Sequence, residues 1–236
     1  MSKLTEYWLS VDLSAANGTL ALHCLPGLGQ NPQLIDSHLI SDQGNHSENF
    51  VPTLKKCLSR CAIRLNDIHR FITTSGPGSF TGLRIAMASI KALAYVNERP
   101  MEILSGSEIR MLEWVSQNPN AAFDAMFVLT NLTSDRFVCA HFSLDTNQSQ
   151  PFPTLISEQV MTDFSFTNPN KRNLLLLDQK INPISIPEKL QASCFQFSLE
   201  AKYLAPHLLK AKNRQTITQT ADWVQLSPNY FGSTRF

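Results

Sequence analysis

The stretch Ser75–Val96, SGPGSFTGLRIAMASIKALAYV, joins a loop punctuated by Gly76, Pro77, Gly78 and Gly82 to a long, almost uncharged run. Its reading decides the fold. A strand that enters a glycine loop and leaves as a helix is one building block of an α/β domain. The helix is expected from Phe80 or Thr81 to Val96, with Ser79 or Thr81 as N-cap. Its apolar set is Phe80, Leu83, Ile85, Met87, Ile90, Leu93 and Val96, with Ala86, Ala88, Ala92 and Ala94 between them. One stripe would cover a sheet, but this helix is apolar nearly all round. One face is therefore expected on its own sheet and another on a neighbour.

The loop fails three sharp motifs on spacing. A Walker loop needs a lysine after its last glycine, and Leu83 follows Gly82. A dinucleotide fingerprint needs its third glycine at position 81, which is threonine. A nucleophile elbow needs glycine two residues before Ser79, where Pro77 stands. A generic reading survives. Helix-terminal N–H groups and the positive dipole end suit an anion, so Asp12, Gly76, Gly78, Ser79, Thr81, Gly82 and Arg84 form a candidate anion or nucleotide loop. The plainer alternative is a tight strand-to-helix turn in which Gly76 and Gly78 supply unusual backbone angles. Spacing alone favours the turn.

Outward from this stretch, the chain of 236 residues has room for one large domain or two small ones. Apolar residues make up 43% and charged residues 17%, which predicts a packed core. The formal net charge of +1, with no Lys/Arg block, gives no nucleic-acid footprint to this chain alone. The N-terminus lacks a charged-then-apolar leader and no apolar run is long enough to span a bilayer, so a cytoplasmic protein is expected. Five cysteines at scattered spacings argue against a disulfide framework. Cys57 and Cys61, one helical turn apart, suit a shared metal, but zinc needs two further ligands and no matching Cys or His pair appears. Buried thiols and no metal are expected. Ser79 has no assignable general base, no H-x-x-x-H pair occurs, and no catalytic constellation is found.

Tyr7–Leu13 and Thr19–Cys24 read as a strand hairpin, with Asn17-Gly18 as its turn signal. QLIDSHLIS reads as a third strand. A helix follows from Asn49 to Leu65, on the spacing of Phe50, Val51, Leu54, Cys57, Leu58, Cys61 and Leu65. A short strand over Arg70–Thr74 leads into the glycine loop. Glu108–Val115 is a further helix, and Ala125–Thr130 with Arg136–Phe142 a second hairpin. Asn173–Asp178 is a buried strand and Leu199–Lys212 a helix. Val11-Asp12-Leu13-Ser14 followed by LALH is echoed in Thr130-Asn131-Leu132-Thr133 followed by VCAH, which suggests a duplicated α/β unit.

These residues resemble the bacterial TsaB family, also called YeaZ. SGPGSFTGLRIAMASIKALA is similar to its signature, LSVDLS…GTLALH to its first hairpin, and His46 with Pro52 to the family's histidine-to-proline stretch. SPNYFGSTRF, with Pro228 and Tyr230, resembles its C-terminal ending. The resemblance implies an α/β protein of two ribonuclease-H-like (actin-like ATPase, or ASKHA) domains, the second degenerate, divided as 1–104 and 105–236. It further implies a non-catalytic subunit in making threonylcarbamoyladenosine at tRNA position 37. The implied partners are a TsaD-like catalytic subunit and a TsaE-like ATPase, with tRNA met only through the complex and a homodimer formed when alone. The interface would lie on the two N-terminal-domain helices, over Phe50, Leu54, Cys57, Leu58, Cys61, Leu83, Met87, Ala88, Ile90, Lys91 and Ala94. No resident cofactor is implied, although a nucleotide between subunits stays open. The alternative is a nucleotide-binding enzyme of the actin, Hsp70 and sugar-kinase superfamily. The family's D-A-R…G-E-x-Y stretch is replaced here by Asn131-Leu132-Thr133…Asp135-Arg136-Phe137, and its helix glycines by Ala86 and Ala92.

Overall fold

The computed structural model describes residues 5–27, 29–41, 45–120, 122–133, 135–145, 152–165, 167, 171–178, 181, 186–187, 194–197, 199–208, 210–211 and 214–217. In chain order the first elements are β1 (Glu6–Asp12), β2 (Gly18–Leu25), β3 (Gln33–Ser41) and α1 (His46–Arg60). A 3-10 turn (Leu65–Asp67), β4 (Ile68–Gly76), α2 (Phe80–Val96) and β5 (Met101–Ser105) follow. Then come α3 (Gly106–Gln117), β6 (Ala125–Asn131), β7 (Phe137–Asp145), β8 (Phe152–Met161), β9 (Asn173–Leu177) and β10 (Cys194–Gln196). A 3-10 turn (Ala201–Tyr203), α4 (Leu204–His207) and β11 (Arg214–Ile217) close the described chain.

Two mixed sheets result. The first has the order β11-β5-β4-β1-β2-β3 and the second β10-β9-β6-β7-β8. In the first, β1 pairs antiparallel with β2 and parallel with β4, and β4 runs parallel to β5. In the second, β6 pairs antiparallel with β7 and parallel with β9, and β9 runs parallel to β10. The same ladder is built twice, which gives the sequence echo its physical content.

The described residues fall into two compact units. Gly106–Ser198 form one, and the residues up to Ser105 are joined by those from Leu199 onward to form the other. A single division at residue 104/105 is therefore corrected, because the chain leaves the first unit and returns to it. β11 pairs antiparallel with β5, and the Ala201 N–H donates to Thr19 Oγ1 at 2.8 Å. The expected helix Leu199–Lys212 is corrected as well. It divides into a 3-10 turn and the single turn α4, because its apolar residues Leu199, Leu204, Ala205 and Leu208 are drawn one by one into burial. The C-terminal motif around Pro228 and Tyr230 lies outside the described residues.

In the first unit α1 and α2 cover one face of the sheet. Phe50, Leu54 and Cys57 of α1 meet Ala86, Met87, Ile90 and Ala94 of α2 over Leu9, Val11, Leu20, Leu22 and Phe71. Helical spacing in the layer and alternate positions in the strands bring these residues together. The second unit has two small cores. Phe127, Leu129, Leu175 and Leu177 line one, while Met126, Val128, Leu174 and Leu176 join Met111 and Trp114 of α3 in the other. β9 is thus buried on both faces, which is why it reads as an unbroken run of leucines.

Candidate functional site

The glycine loop is built against the first hairpin. Asp12 ends β1 fully buried, and its Oδ1 accepts the Ser14 N–H at 3.1 Å, folding the chain into a tight turn. The Ser79 N–H then donates to Ser14 O at 2.7 Å. A Cβ on Gly78 would stand 2.5 Å from that same oxygen, and one on Gly82 only 1.9 Å from Leu13 O. Gly78 and Gly82 are therefore glycines because main chain lies on main chain. Gly76 has φ +105°, the left-handed region that favours glycine, and leads through a cis bond into Pro77.

Three backbone donors of the turn, the N–H groups of Gly76, Ser79 and Gly82, are committed. Ser79 caps α2, its Oγ accepting the Gly82 N–H at 3.3 Å while its carbonyl accepts the Leu83 N–H at 2.8 Å. The Gly76 N–H donates to Thr74 Oγ1 at 3.1 Å. Arg84, which an anion would need pointing inward, lies over the Phe80 ring at 3.9 Å from its centroid, on the exposed side of α2. Thr81 is exposed too. The structure seats Gly78, Ser79 and Gly82 against Leu13 and Ser14, next in the chain to Asp12, and the N–H groups of Gly76, Ser79 and Gly82 that an anion would use are occupied. Leu13 and Ser14, the residues the loop rests on, carry no sequence signal, because the contact is made by backbone.

The helix surface shows what α1 and α2 turn outward. Seven residues placed on the interface by the sequence reading are core instead. Phe50, Leu54, Cys57, Leu83, Met87, Ile90 and Ala94 are at most 5% exposed within the chain itself. Leu58 and Cys61 are half-buried against that core. Ala88 is exposed and Lys91 intermediate. The exposed side of α2 runs through Phe80, Thr81, Arg84, Ala88, Ala92, Tyr95 and Val96, with Val51 exposed on α1. Periodicity could not separate the two faces, since both are apolar.

His23 and His46 are structural. His23 Nε2 donates to Lys202 O at 3.1 Å, and burial pushes its imidazole down to about 4, against the small upward effect of that bond. Burial also lowers His46, which bonds the Ala15 carbonyl and so ties the start of α1 to the hairpin turn. In the second unit Ser107 Oγ donates to Glu158 at 2.7 Å, and Arg110 donates to Thr130 Oγ1. These contacts anchor α3 to β8 and β6.

A family model described as "TsaD: tRNA N6-adenosine threonylcarbamoyltransferase" matches residues 37–113, from β3 into α3. The tRNA threonylcarbamoyladenosine biosynthesis protein TsaB of Bacillus subtilis is 29% identical over 100 residues, 42% of this chain and 41% of that protein. Its counterpart in Buchnera aphidicola is 29% identical over 92 residues, 39% of this chain and 42% of that one. The matched stretch thus spans about two-fifths of the length of these curated relatives. The fold extends further. YeaZ from Pseudomonas aeruginosa superposes with a TM-score of 0.70 at 18% identity, covering 96% of this chain and 100% of that one. No helix among the described residues is long and apolar enough to cross a membrane. The chain is thus similar in part of its sequence to TsaB proteins and, over nearly its whole length, similar in fold to YeaZ.

Proposed function

We propose that this chain serves threonylcarbamoyladenosine biosynthesis as a protein partner, without catalysing a step itself. Its relatives carry the name of that pathway, which is a ground for the reading. The observation that carries it is the outer side of α2. A helix whose inner side is closed core turns Phe80, Ala88, Ala92, Tyr95 and Val96 to the exterior, large apolar residues at both ends and small ones between. Such a stripe lets another helix approach closely and gives it apolar surface to bury. The occupant is a TsaD-like catalytic subunit, and a second copy of this chain takes its place when that subunit is absent. A TsaE-like ATPase joins the assembled complex in the cytoplasm, and tRNA is met there rather than on this nearly neutral chain alone.

The glycine loop supports the same reading from the other side. The Ser79 N–H is held by Ser14 O of the hairpin, the Gly82 N–H by Ser79 Oγ and the Gly76 N–H by Thr74 Oγ1. The loop works as a clamp that fixes the start of α2, with no nucleotide of its own. Size-exclusion chromatography with light scattering, on this protein alone and mixed with the TsaD of its organism, tests the proposal. A homodimer that converts to a heterodimer on mixing is expected. A monomer indifferent to TsaD overturns it.

A further inference from the structure

We propose that Asp36, His38, Cys57 and Cys61 bind a single divalent transition-metal ion, zinc foremost, between strand β3 and helix α1. Asp36 and His38 are two residues apart on β3, so the strand's period places both on one face. That face is the inward one. Asp36, His38 and Ile40 are sheltered while Ile35, Ser37 and Leu39 between them are exposed. Cys57 and Cys61 are four apart at the end of α1, so the helical period places both on one side.

The two elements bring these donors to one point. One ligand atom each of Asp36, His38 and Cys57 lies within 4.8 Å of the other two. His38 Nε2 is 2.8 Å from Asp36 Oδ2, and Cys61 Sγ is 3.8 Å from that same oxygen. The Cys61 thiol is also hydrogen-bonded to Cys57. A tetrahedral zinc centre sets its donors roughly 3.3–3.8 Å apart, given bonds of about 2.0–2.3 Å. Small side-chain rotations therefore suffice. Two sulfurs, an imidazole nitrogen and a carboxylate oxygen suit zinc, and cobalt(II) as its spectroscopic substitute.

The charge balance also fits. Binding releases the two thiol protons to solvent, while His38 coordinates as the neutral ring. Two thiolates and a carboxylate then leave the centre with one excess negative charge. Arg60, whose Nε donates to Asp36 Oδ2 at 3.2 Å, supplies the compensating positive one. Its side chain is 63% exposed, against 16% for Asp36, so it can yield that oxygen to the metal and stay beside it. Without a metal, burial first, then the neighbouring Cys61 and Asp36, push the Cys57 thiol up to about 12. Zinc needs four ligands, and sequence spacing offers only the two cysteines. The other two are contributed by a strand about twenty residues upstream, through sheet packing that no local pattern records.

Cobalt(II) titration of the full chain, reduced with a non-thiol reductant and freed of metal by chelation, tests this. One ion per chain is expected, with a thiolate-to-cobalt charge-transfer band and intense tetrahedral d–d bands, displaced by zinc. Cys61→Ser and His38→Gln, neither in the closed core, should each raise the cobalt dissociation constant at least ~10-fold. That is the loss which removing even an outer partner of a metal ligand brings. Cys194→Ser, in the other unit, should leave it unchanged. Circular dichroism of each variant establishes that it is folded. Absence of stoichiometric uptake by the unaltered chain overturns the proposal, and so do bands that persist undiminished in both Cys61→Ser and His38→Gln.

Discussion

Gly82 has no room for a side chain, since its missing Cβ would fall 1.9 Å from the Leu13 carbonyl oxygen. Single residues of this kind decide how the first unit closes, and His23 is another. Fully buried on β2, it keeps its imidazole neutral down to about pH 4, whereas an exposed histidine takes up its proton near 6.5. The unfolded chain therefore binds the proton first. His23 contributes stability that is fully present above pH 6.5 and is lost as pH falls from there to about 4. The loss amounts to about 3 kcal/mol over that window, at 1.36 kcal/mol per pH unit. Burial lowers His46 as well, which adds to the effect with the same sign. Urea unfolding at pH 7.5 and pH 5 checks this. His23→Gln retains a donor for Lys202 O but not the titration, so its stability should fall less steeply with pH. An equal slope in the two proteins would assign the acid sensitivity to other groups.

At the scale of the element, α2 separates two classes of substitution. Met87 belongs to the core, and Met87→Ala should cost about 2–5 kcal/mol of stability. Ala88 and Ala92 are exposed, so Ala88→Arg and Ala92→Arg should shift stability by no more than about 0.5 kcal/mol. Each arginine would nevertheless place a bulky charge in the proposed contact and weaken association at least tenfold, read by sedimentation with denaturation curves beside it. Folded arginine variants that associate normally would move the partner surface off this helix. The start of α2 was legible in the sequence because Ser79 caps it, and its end because Pro100 follows. The ends of α1 were not. Both helices close with the double backbone bond of a Schellman turn: Ile63 N–H to Leu58 O and Ala62 N–H to Ser59 O in α1, Arg99 N–H to Ala94 O and Glu98 N–H to Tyr95 O in α2. The left-handed residues are Ala62 and Glu98 rather than glycine, so the usual stop signal is missing and α1 was expected to run on to Leu65. β3 was legible over its full length, since its alternation matches its burial. β5, β8, β10 and β11 were missed, as pairing rather than pattern defines them. The candidate loop was legible in its residues but not in its purpose, which depends on the backbone of Leu13 and Ser14.

For the whole molecule, the repeated ladder raises the question of what completes each copy. The first unit is finished by the chain's return, which the sequence read as part of a C-terminal domain. Leu199, Ala201, Leu204 and Ala205 are fully buried. Lys202 O holds the His23 imidazole, Thr19 receives the Ala201 N–H, and Thr216 Oγ1 donates to the buried Glu102 carboxylate at 2.6 Å. Glu102 also pairs with Arg70, itself stacked near Trp8, so the returning strand caps a polar cluster that would otherwise lose a partner inside the sheet. β5, moreover, has β11 as its outer neighbour. A chain ending at Ser198 should therefore lose amide protection in β1, β2, β4 and β5 while β6, β7 and β9 keep theirs. Burying one Leu side chain is worth about 1.5–3 kcal/mol, so removing the three buried leucines Leu199, Leu204 and Leu208 together with these hydrogen bonds approaches the ~5–15 kcal/mol by which a typical domain is stable. Hydrogen exchange resolved by mass spectrometry reads both sheets in one experiment. Equal loss in the two sheets would mean that they unfold as one cooperative body, and full retention in the first would mean that residues 5–105 fold without the return.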